Sequence, residues 1–270
     1  MNFKKFLNIK KKKYPKKFVF VVGSGRCGTL LFKELFKKNS EIEAHHERNN
    51  LLTSFYQYSK FNDFKINYEY FLESFETHKT SKKIYLESSS YLSLNIKNLY
   101  ERTRCKIIIL YRDPLSTCKS LMKKGWYNKK DTKFYNKQKN IGCHTNSGIY
   151  FHHNFSRLIP KNDEFLKWNK LPIICKVKWF WNLIYVNLID QTKKINKNDY
   201  KFININKFAY SDYLDICRWI KSNPDLSERS FLKILKKTPN KSKGKNIKIS
   251  KNELKFFKTH YTSAEKILFK

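Results

Sequence analysis

Residues 18–31 read Phe18-Val19-Phe20-Val21-Val22-Gly23-Ser24-Gly25-Arg26-Cys27-Gly28-Thr29-Leu30-Leu31. Five consecutive β-formers run into a loop with three glycines, and an amphipathic pattern follows at once. A buried strand feeding a glycine-rich turn and then a helix is how α/β proteins build an anion site. Glycines let the backbone approach closely, and the first free N–H groups of the helix point at the ligand. On its own, the stretch is also compatible with a tight strand–helix turn that binds nothing.

Outward from this loop, strands and helices alternate. Strand one covers 18–22 and its helix 28–38. Residues 40–47 read as a short strand or loop that brings Glu47 back towards the first loop. Two Phe- and Tyr-rich helices fill 50–80. A second buried strand covers 84–88, with Ser88–Ser90 capping a helix over 91–102. Cys105–Tyr111 is an almost continuous apolar strand, as expected in a parallel sheet covered on both faces. Asp113-Pro114 then reads as N-cap and first residue of a helix over 114–124. Residues 125–170 show no sustained period and read as an irregular lid insertion. A long amphipathic helix follows from 173 to about 197, then a strand over 200–205 and a helix over 211–221. Two helices surround a Lys- and Asn-rich turn at 238–248. The pattern predicts a three-layer α/β/α sandwich with a central parallel sheet, P-loop-like, preceded by a flexible basic arm over 1–16. Residues 17–270 are expected to form a single domain.

Composition bounds the function. The formal net charge is +35, and lysines outnumber arginines 49 to 8. Arg is the residue that nucleic-acid readers favour for bidentate recognition. The Lys, Asn, Ile, Phe and Tyr excess matches an AT-rich coding sequence, which we take as the main cause of the charge. A basic nucleic-acid-binding α/β protein is the alternative that rests on charge alone, and no specific nucleic-acid partner is expected. The six cysteines show no paired spacing, as for free thiols in a reducing compartment. The apolar run Phe18–Val22 is too short for a signal sequence or a membrane span, so a cytoplasmic location is expected.

Gly23 and Gly28 have the Gly-x4-Gly spacing of a Walker A loop, but Thr29 and Leu30 stand where its Lys and Ser/Thr should follow. That Lys reaches the β- and γ-phosphates and that hydroxyl ligates Mg²⁺. A P-loop small-molecule kinase is therefore disfavoured, and the amide cradle with Arg26 suits one 5′-phosphate-linked group without an obligatory metal.

Gly25-Arg26-Cys27-Gly28-Thr29-Leu30-Leu31 resembles the Pro-Arg-Ser-Gly-Thr-[Thr/Ser]-Leu loop of sulfotransferases, which binds the 5′-phosphosulfate end of 3′-phosphoadenosine-5′-phosphosulfate (PAPS). Tyr111-Arg112-Asp113-Pro114, followed by Ser120, is similar to the family's Arg-Asp-Pro…Ser element, which holds the 3′-phosphate. Lys123-Lys124-Gly125-Trp126-Tyr127 and Lys178-Trp179-Phe180-Trp181-Asn182 also resemble stretches of bacterial members. The resemblance spans about 18–205 and is strongest at the two loops. It implies a sulfotransferase of bacterial or Golgi type that moves a sulfuryl group from PAPS to a hydroxyl or amine, with no metal required.

The donor would be bound by Gly23, Ser24, Gly25, Arg26, Cys27, Gly28, Thr29, Leu30, Arg112 and Ser120. Arg112 follows a strand on the ligand side of an open α/β sheet, and Ser116 and Ser120 share one helix face, which makes a charge-assisted phosphate clamp. Glu47, 21 residues after Arg26, matches the position of the catalytic Glu in several members and is the candidate general base, with His46 second. Arg26 is the candidate stabiliser of the transferring group. Cys27 replaces the usual Ser, and only its backbone contribution carries over. Many members have a Lys near the second strand that assists the leaving group; Leu86-Glu87-Ser88-Ser89 offers none, which leaves Lys82, Lys83 or a lid lysine as substitutes. Trp179 and Trp181 read as core. Cys143-His144 with His152-His153 fits no usual zinc spacing. The acceptor is not coded by any motif; a saccharide is the candidate, bound by the loops at 48–80 and 125–170, and the sequence is silent on oligomeric state.

Overall fold

A computed structural model describes residues 17–76, 82–128, 152–237 and 247–270. The expected arm over 1–16 and most of the turn at 238–248 lie outside these residues. Five parallel strands form the sheet, in the order β2-β3-β1-β4-β5. They are β1 Lys17–Val22, β2 Ile42–His46, β3 Ile84–Ser88, β4 Lys106–Tyr111 and β5 Tyr200–Asn204. The central strand β1 pairs with β4, from Val19 with Lys106 through Val22 with Ile109.

The apolar run of β1 is dictated by burial on both faces. Phe18, Phe20 and Val22 enter one core, and Val19 and Val21 the other. The first core is covered by α2 (Asn50–Phe61), α3 (Tyr68–Glu76), α4 (Ile96–Thr103), α5 (Pro114–Lys123) and α8 (Ile173–Thr192). The second lies under α1 (Thr29–Phe36), α9 (Tyr210–Ile220) and α10 (Glu228–Lys236). This is the expected three-layer α/β/α sandwich.

Three local expectations need correction. Ser88–Ser90 do not cap a helix over 91–102. Ser89 instead accepts the Tyr91 N–H at 3.3 Å to cap a single 3-10 turn, Ser90–Leu92. The chain then bends at the buried Ser93 and Asn95, and α4 starts at Ile96. The segment 125–170 is not irregular throughout. Its second half holds the short α6 (His153–Ser156) and α7 (Asn162–Asn169), anchored by buried Leu158, Ile159, Phe165 and Trp168. Residues 129–151 of the expected lid lie outside the described residues. The C-terminal part carries a third helix, as α11 (Lys251–Thr259) and α12 (Ser263–Leu268) follow α10.

The last two helices are tied to α8 by Lys178. Its fully buried ammonium donates to the Phe257 carbonyl at 2.7 Å and pairs with Glu265 at 2.8 Å. Pairing and hydrogen bonding are what make a buried charge tolerable. Trp181 is fully buried and Trp179 nearly so, both as core residues.

Candidate functional site

The chain leaves β1 towards β2 on one side and leaves β4 towards β5 on the other. The crevice between the carboxyl ends of β1 and β4 is therefore the topological switch point, where open α/β sheets bind ligands. The loop 23–28 sits at the end of β1 and Arg112 at the end of β4.

The loop is packed from below. A Cβ on Gly23 would lie 2.5 Å from both the Cys27 Sγ and the Leu110 carbonyl oxygen, so only glycine fits. Ser93 holds that glycine, accepting its N–H at 3.1 Å and donating to its carbonyl at 2.8 Å. Tyr185 on α8 donates to the Leu110 carbonyl at 2.7 Å, and its oxygen lies 3.5 Å from the Ser24 amide nitrogen that donates to it. Gly25, Arg26 and Gly28 adopt φ of +77°, +57° and +106°. The left-handed turns bring the chain back to the N-terminus of α1, with Gly28 as its N-cap.

The Cys27 thiol is fully buried in the second core, and burial pushes its pKa up to about 11. Only its backbone can serve a ligand. Thr29 is tied down on two sides. Its carbonyl accepts from the Ser88 hydroxyl at 2.7 Å, and its Oγ1 lies 3.2 Å from His46 Nε2. Burial and the neighbouring Lys33 lower the His46 pKa to about 4, so the imidazole is neutral at physiological pH.

The structure brings Arg26, Arg112, Ser120 and Glu47 together. Arg26 Nε donates to Ser120 Oγ at 2.9 Å, bridging the first loop to α5. Burial lowers the Arg26 pKa, and so does the charge of Arg112 beside it; Glu47 on its other side acts in the opposite direction. Arg112 Nε is buried and has no hydrogen-bond partner among the described residues. Two cations held this close, one with an unmatched buried donor, are the signature of a site built for an anion. The residues present therefore fit a phosphorylated ligand. Asp113 and Pro114 play their expected parts, with Asp113 Oδ1 accepting the Ser116 N–H at 2.7 Å.

Glu47 occupies the tight turn after β2, at φ +49°. Its amide donates to the Ser88 carbonyl at 3.2 Å, and its carboxylate accepts from Ser90 Oγ at 3.1 Å. Burial raises its pKa to about 7, against the pull of Ser90 and Arg26. A carboxyl poised near neutrality beside fixed cations is suited to accept a proton.

Lys82 and Lys83 do not reach this site. Lys82 Nζ donates to the Asn39 and Ile42 carbonyls at 2.7 and 3.0 Å, and Lys83 Nζ pairs with Glu41 at 3.3 Å. Both precede β3, at the opposite end of the sheet. Reading the sequence also missed Ser93, Tyr185 and Ser90, which carry no motif. Of the zinc candidates, Cys143 and His144 lie outside the described residues. Among the described residues no three His, Cys, Asp or Glu side chains gather as metal ligands. The five described cysteines are unpaired and buried, and no described helix is long and apolar enough to cross a membrane.

Several solved structures resemble the fold. A sulfotransferase from Alicyclobacillus acidocaldarius superposes with a TM-score of 0.51 at 11% identity, covering 95% of this chain and 97% of that one. A sulfotransferase from Mycobacterium avium gives 0.47 at 11% identity, over 95% of this chain and 76% of its own. A mouse sulfotransferase complexed with PAP gives 0.43 at 13% identity, over 94% and 74%. No curated protein matches the chain. The sequence model of the sulfotransferase domain matches residues 16–171, more than half of the 270 and spanning both the loop at 23–28 and the Arg112–Ser120 segment, and the chain therefore belongs to the sulfotransferase family.

Proposed function

We propose that the protein transfers a sulfuryl group from PAPS to a hydroxyl or amine by direct in-line displacement. The observation that carries this reading is the junction at Arg26, bonded to Ser120 on one side and flanked electrostatically by Arg112 and Glu47. It joins a phosphate clamp and a candidate base into one site. When bound, PAPS supplies the activated sulfuryl group. The N–H groups of Gly25, Arg26, Cys27, Gly28, Thr29 and Leu30, up to the α1 N-terminus, hold its 5′ end, whereas the Gly23 and Ser24 amides, bonded to Ser93 and Tyr185, shape the loop beneath them. Arg112 and Ser120 hold its 3′-phosphate. Glu47 takes the proton that the acceptor loses as its bond to sulfur forms. Arg26 and the loop amides stabilise the charge that builds on the phosphate as the old S–O bond breaks. In this scheme Arg26 also takes the part of a leaving-group lysine; the lid lysines between 129 and 151 lie outside the described residues.

The acceptor is read as a saccharide, on the bacterial-type resemblance and the strongly cationic surface. Unpaired buried thiols support a cytoplasmic location.

The test is binding followed by turnover. 3′-Phosphoadenosine-5′-phosphate should raise the melting temperature of the wild type, and Arg112→Ala should abolish that rise. Glu47→Gln should keep the rise yet cut kcat by roughly 10²–10⁴-fold, the usual worth of a general base. No thermal shift in the wild type, or full activity in Glu47→Gln, refutes the assignment.

A further inference from the structure

Ser90 stands between the two halves of the site and takes no part in the transfer steps above. It opens the 3-10 turn Ser90–Leu92, which follows β3 and is fixed to β1 where the Ser89 N–H donates to the Val21 carbonyl at 2.9 Å. A 3-10 turn repeats every three residues, so Ser90 and Ser93 stand one above the other. Ser93 holds Gly23 of the first loop by both its N–H and its carbonyl. Ser90 donates its hydroxyl to Glu47 Oε1 at 3.1 Å. Its side chain also lies against the loop, since a Cβ on Gly25 would stand 3.6 Å from the Ser90 Oγ and 3.7 Å from its Cβ. One short turn therefore carries both the loop and the carboxylate. Among the described residues, Oε1 is the Glu47 oxygen that receives a hydrogen bond.

We propose that Ser90 is a positioning residue for sulfuryl transfer: its hydroxyl grips Glu47 by Oε1 and leaves Oε2 to take the acceptor's proton, at a spacing from the first loop set by the turn Ser90–Leu92. The proposal rests on Glu47 being the base. A general base works only if an oxygen is held within hydrogen-bond reach of the proton it removes, and a glutamate side chain has three torsions to lose before it is aimed. The groups facing Glu47 are Arg26, Ser90, Tyr91 and Glu87. Its chain neighbours turn elsewhere, His46 Nε2 to Thr29 Oγ1 and Arg48 Nη1 to Glu43. The Ser90 hydroxyl is thus the group that fixes the carboxylate in place. A donor to the anion also favours the charged form, so Ser90 pulls the Glu47 pKa down against burial, and its amide pulls the same way. The serines beside it spend their hydroxyls on backbone: Ser88 donates to the Thr29 carbonyl, and Ser89 accepts the Tyr91 N–H. Ser90 alone of the three is turned to a carboxylate.

The test compares Ser90→Ala and Ser90→Thr with the wild type in the full-length protein. Carboxyl carbon NMR follows the titration of Glu47, assigned by the resonance that Glu47→Gln removes. In Ser90→Ala the midpoint should rise by about half a pH unit or more, because the anion loses a donor. Turnover is read as 3′-phosphoadenosine-5′-phosphate released from PAPS with water as the acceptor. There a water oxygen bonds to sulfur, the bond from sulfur to the 5′-phosphate oxygen breaks, and one water proton passes to Glu47 as sulfate forms. The acid limb of kcat/KM should move up with the midpoint, and the plateau above it should fall by about tenfold to a hundredfold as the carboxylate loses its aim. Ser90→Thr keeps the hydroxyl and should restore both. Both variants should keep the thermal shift with 3′-phosphoadenosine-5′-phosphate; its loss in Ser90→Ala would mean that Ser90 serves the loop rather than the base. A midpoint that stays in place in Ser90→Ala, or a plateau that does not fall, overturns the proposal. A midpoint that moves while the acid limb does not overturns Glu47 as the base, and the proposal with it.

Discussion

Replacing Gly28 by Ala should injure the loop at 23–28 out of proportion to the single methyl group added. Gly28 sits at φ +106°, where an L side chain is strained. Left-handed backbone costs a non-glycine residue about 1–2 kcal/mol. The new Cβ would also lie 2.8 Å from Ile205 Cγ1 and 3.0 Å from its Cδ1. Relieving such an overlap in packed surroundings costs about 1–3 kcal/mol. The sum is roughly 2–5 kcal/mol, a large part of the stability of a typical domain. Gly125 is the control, at φ +76° with only Asn128 Nδ2 within 4 Å, at 3.8 Å. Gly125→Ala should therefore show the backbone cost alone, about 1–2 kcal/mol. Urea midpoints read both losses. Because the overlap pushes on the N-cap of α1, Gly28→Ala should also lose the thermal shift with 3′-phosphoadenosine-5′-phosphate, and Gly125→Ala should keep it. Equal losses in the two variants, with ligand response intact in both, would refute the idea that Ile205 presses the loop into shape.

Two further outcomes follow from the same geometry. Ser93→Ala leaves the buried Gly23 N–H without the hydroxyl it donates to, which should cost about 1–3 kcal/mol in urea denaturation; an unchanged midpoint would mean that the loop does not depend on Ser93. Stability should also fall with rising pH. Glu87 has a pKa of about 7 in the fold against an ordinary 4.5, so the folded state holds the extra proton between those values and loses the advantage as pH rises through the window. The shift corresponds to at most roughly 3 kcal/mol. Between pH 5 and 8 the wild type should therefore lose more stability than Glu87→Gln, and parallel losses would contradict the raised proton affinity.

The sheet was legible because burial on both faces forces near-continuous apolar runs, as in Phe18–Val22 and Lys106–Tyr111. The two loops stood out by their resemblance to the sulfotransferase family, and the sharp turns found there need Gly and Asp-Pro in a recognisable order. Glu47 was singled out because its distance from Arg26 resembles the family's, but its surroundings were not legible, because Ser90 and Glu87 come from another strand and its turn. Ser93 and Tyr185 escaped altogether. A serine in a serine-rich stretch and a tyrosine in an aromatic helix look like their neighbours until the fold places a backbone amide against them. The second half of 125–170 escaped because helices of four and eight residues are too short to establish a period. The serine run at 88–90 misled for the opposite reason. It is a good capping signal, but the chain needed its hydroxyls for Thr29, Tyr91 and Glu47.

Tyr185 has a consequence for selectivity. Its hydroxyl oxygen touches the first loop at Ser24 and the last carbonyl but one of β4 at Leu110, so the mounts of the two loops share a rivet below the Arg26–Ser120 bond. Their spacing is set before any ligand arrives, and the crevice works as a fixed gauge. If the crevice holds PAPS as proposed, a nucleotide charged at one end only would occupy one jaw, whereas one whose two phosphates match the gap would be gripped at both. Discrimination by length would then come from the scaffold rather than from closure of a loop. Cutting the rivet with Tyr185→Phe would loosen the gauge without removing any group that touches the ligand.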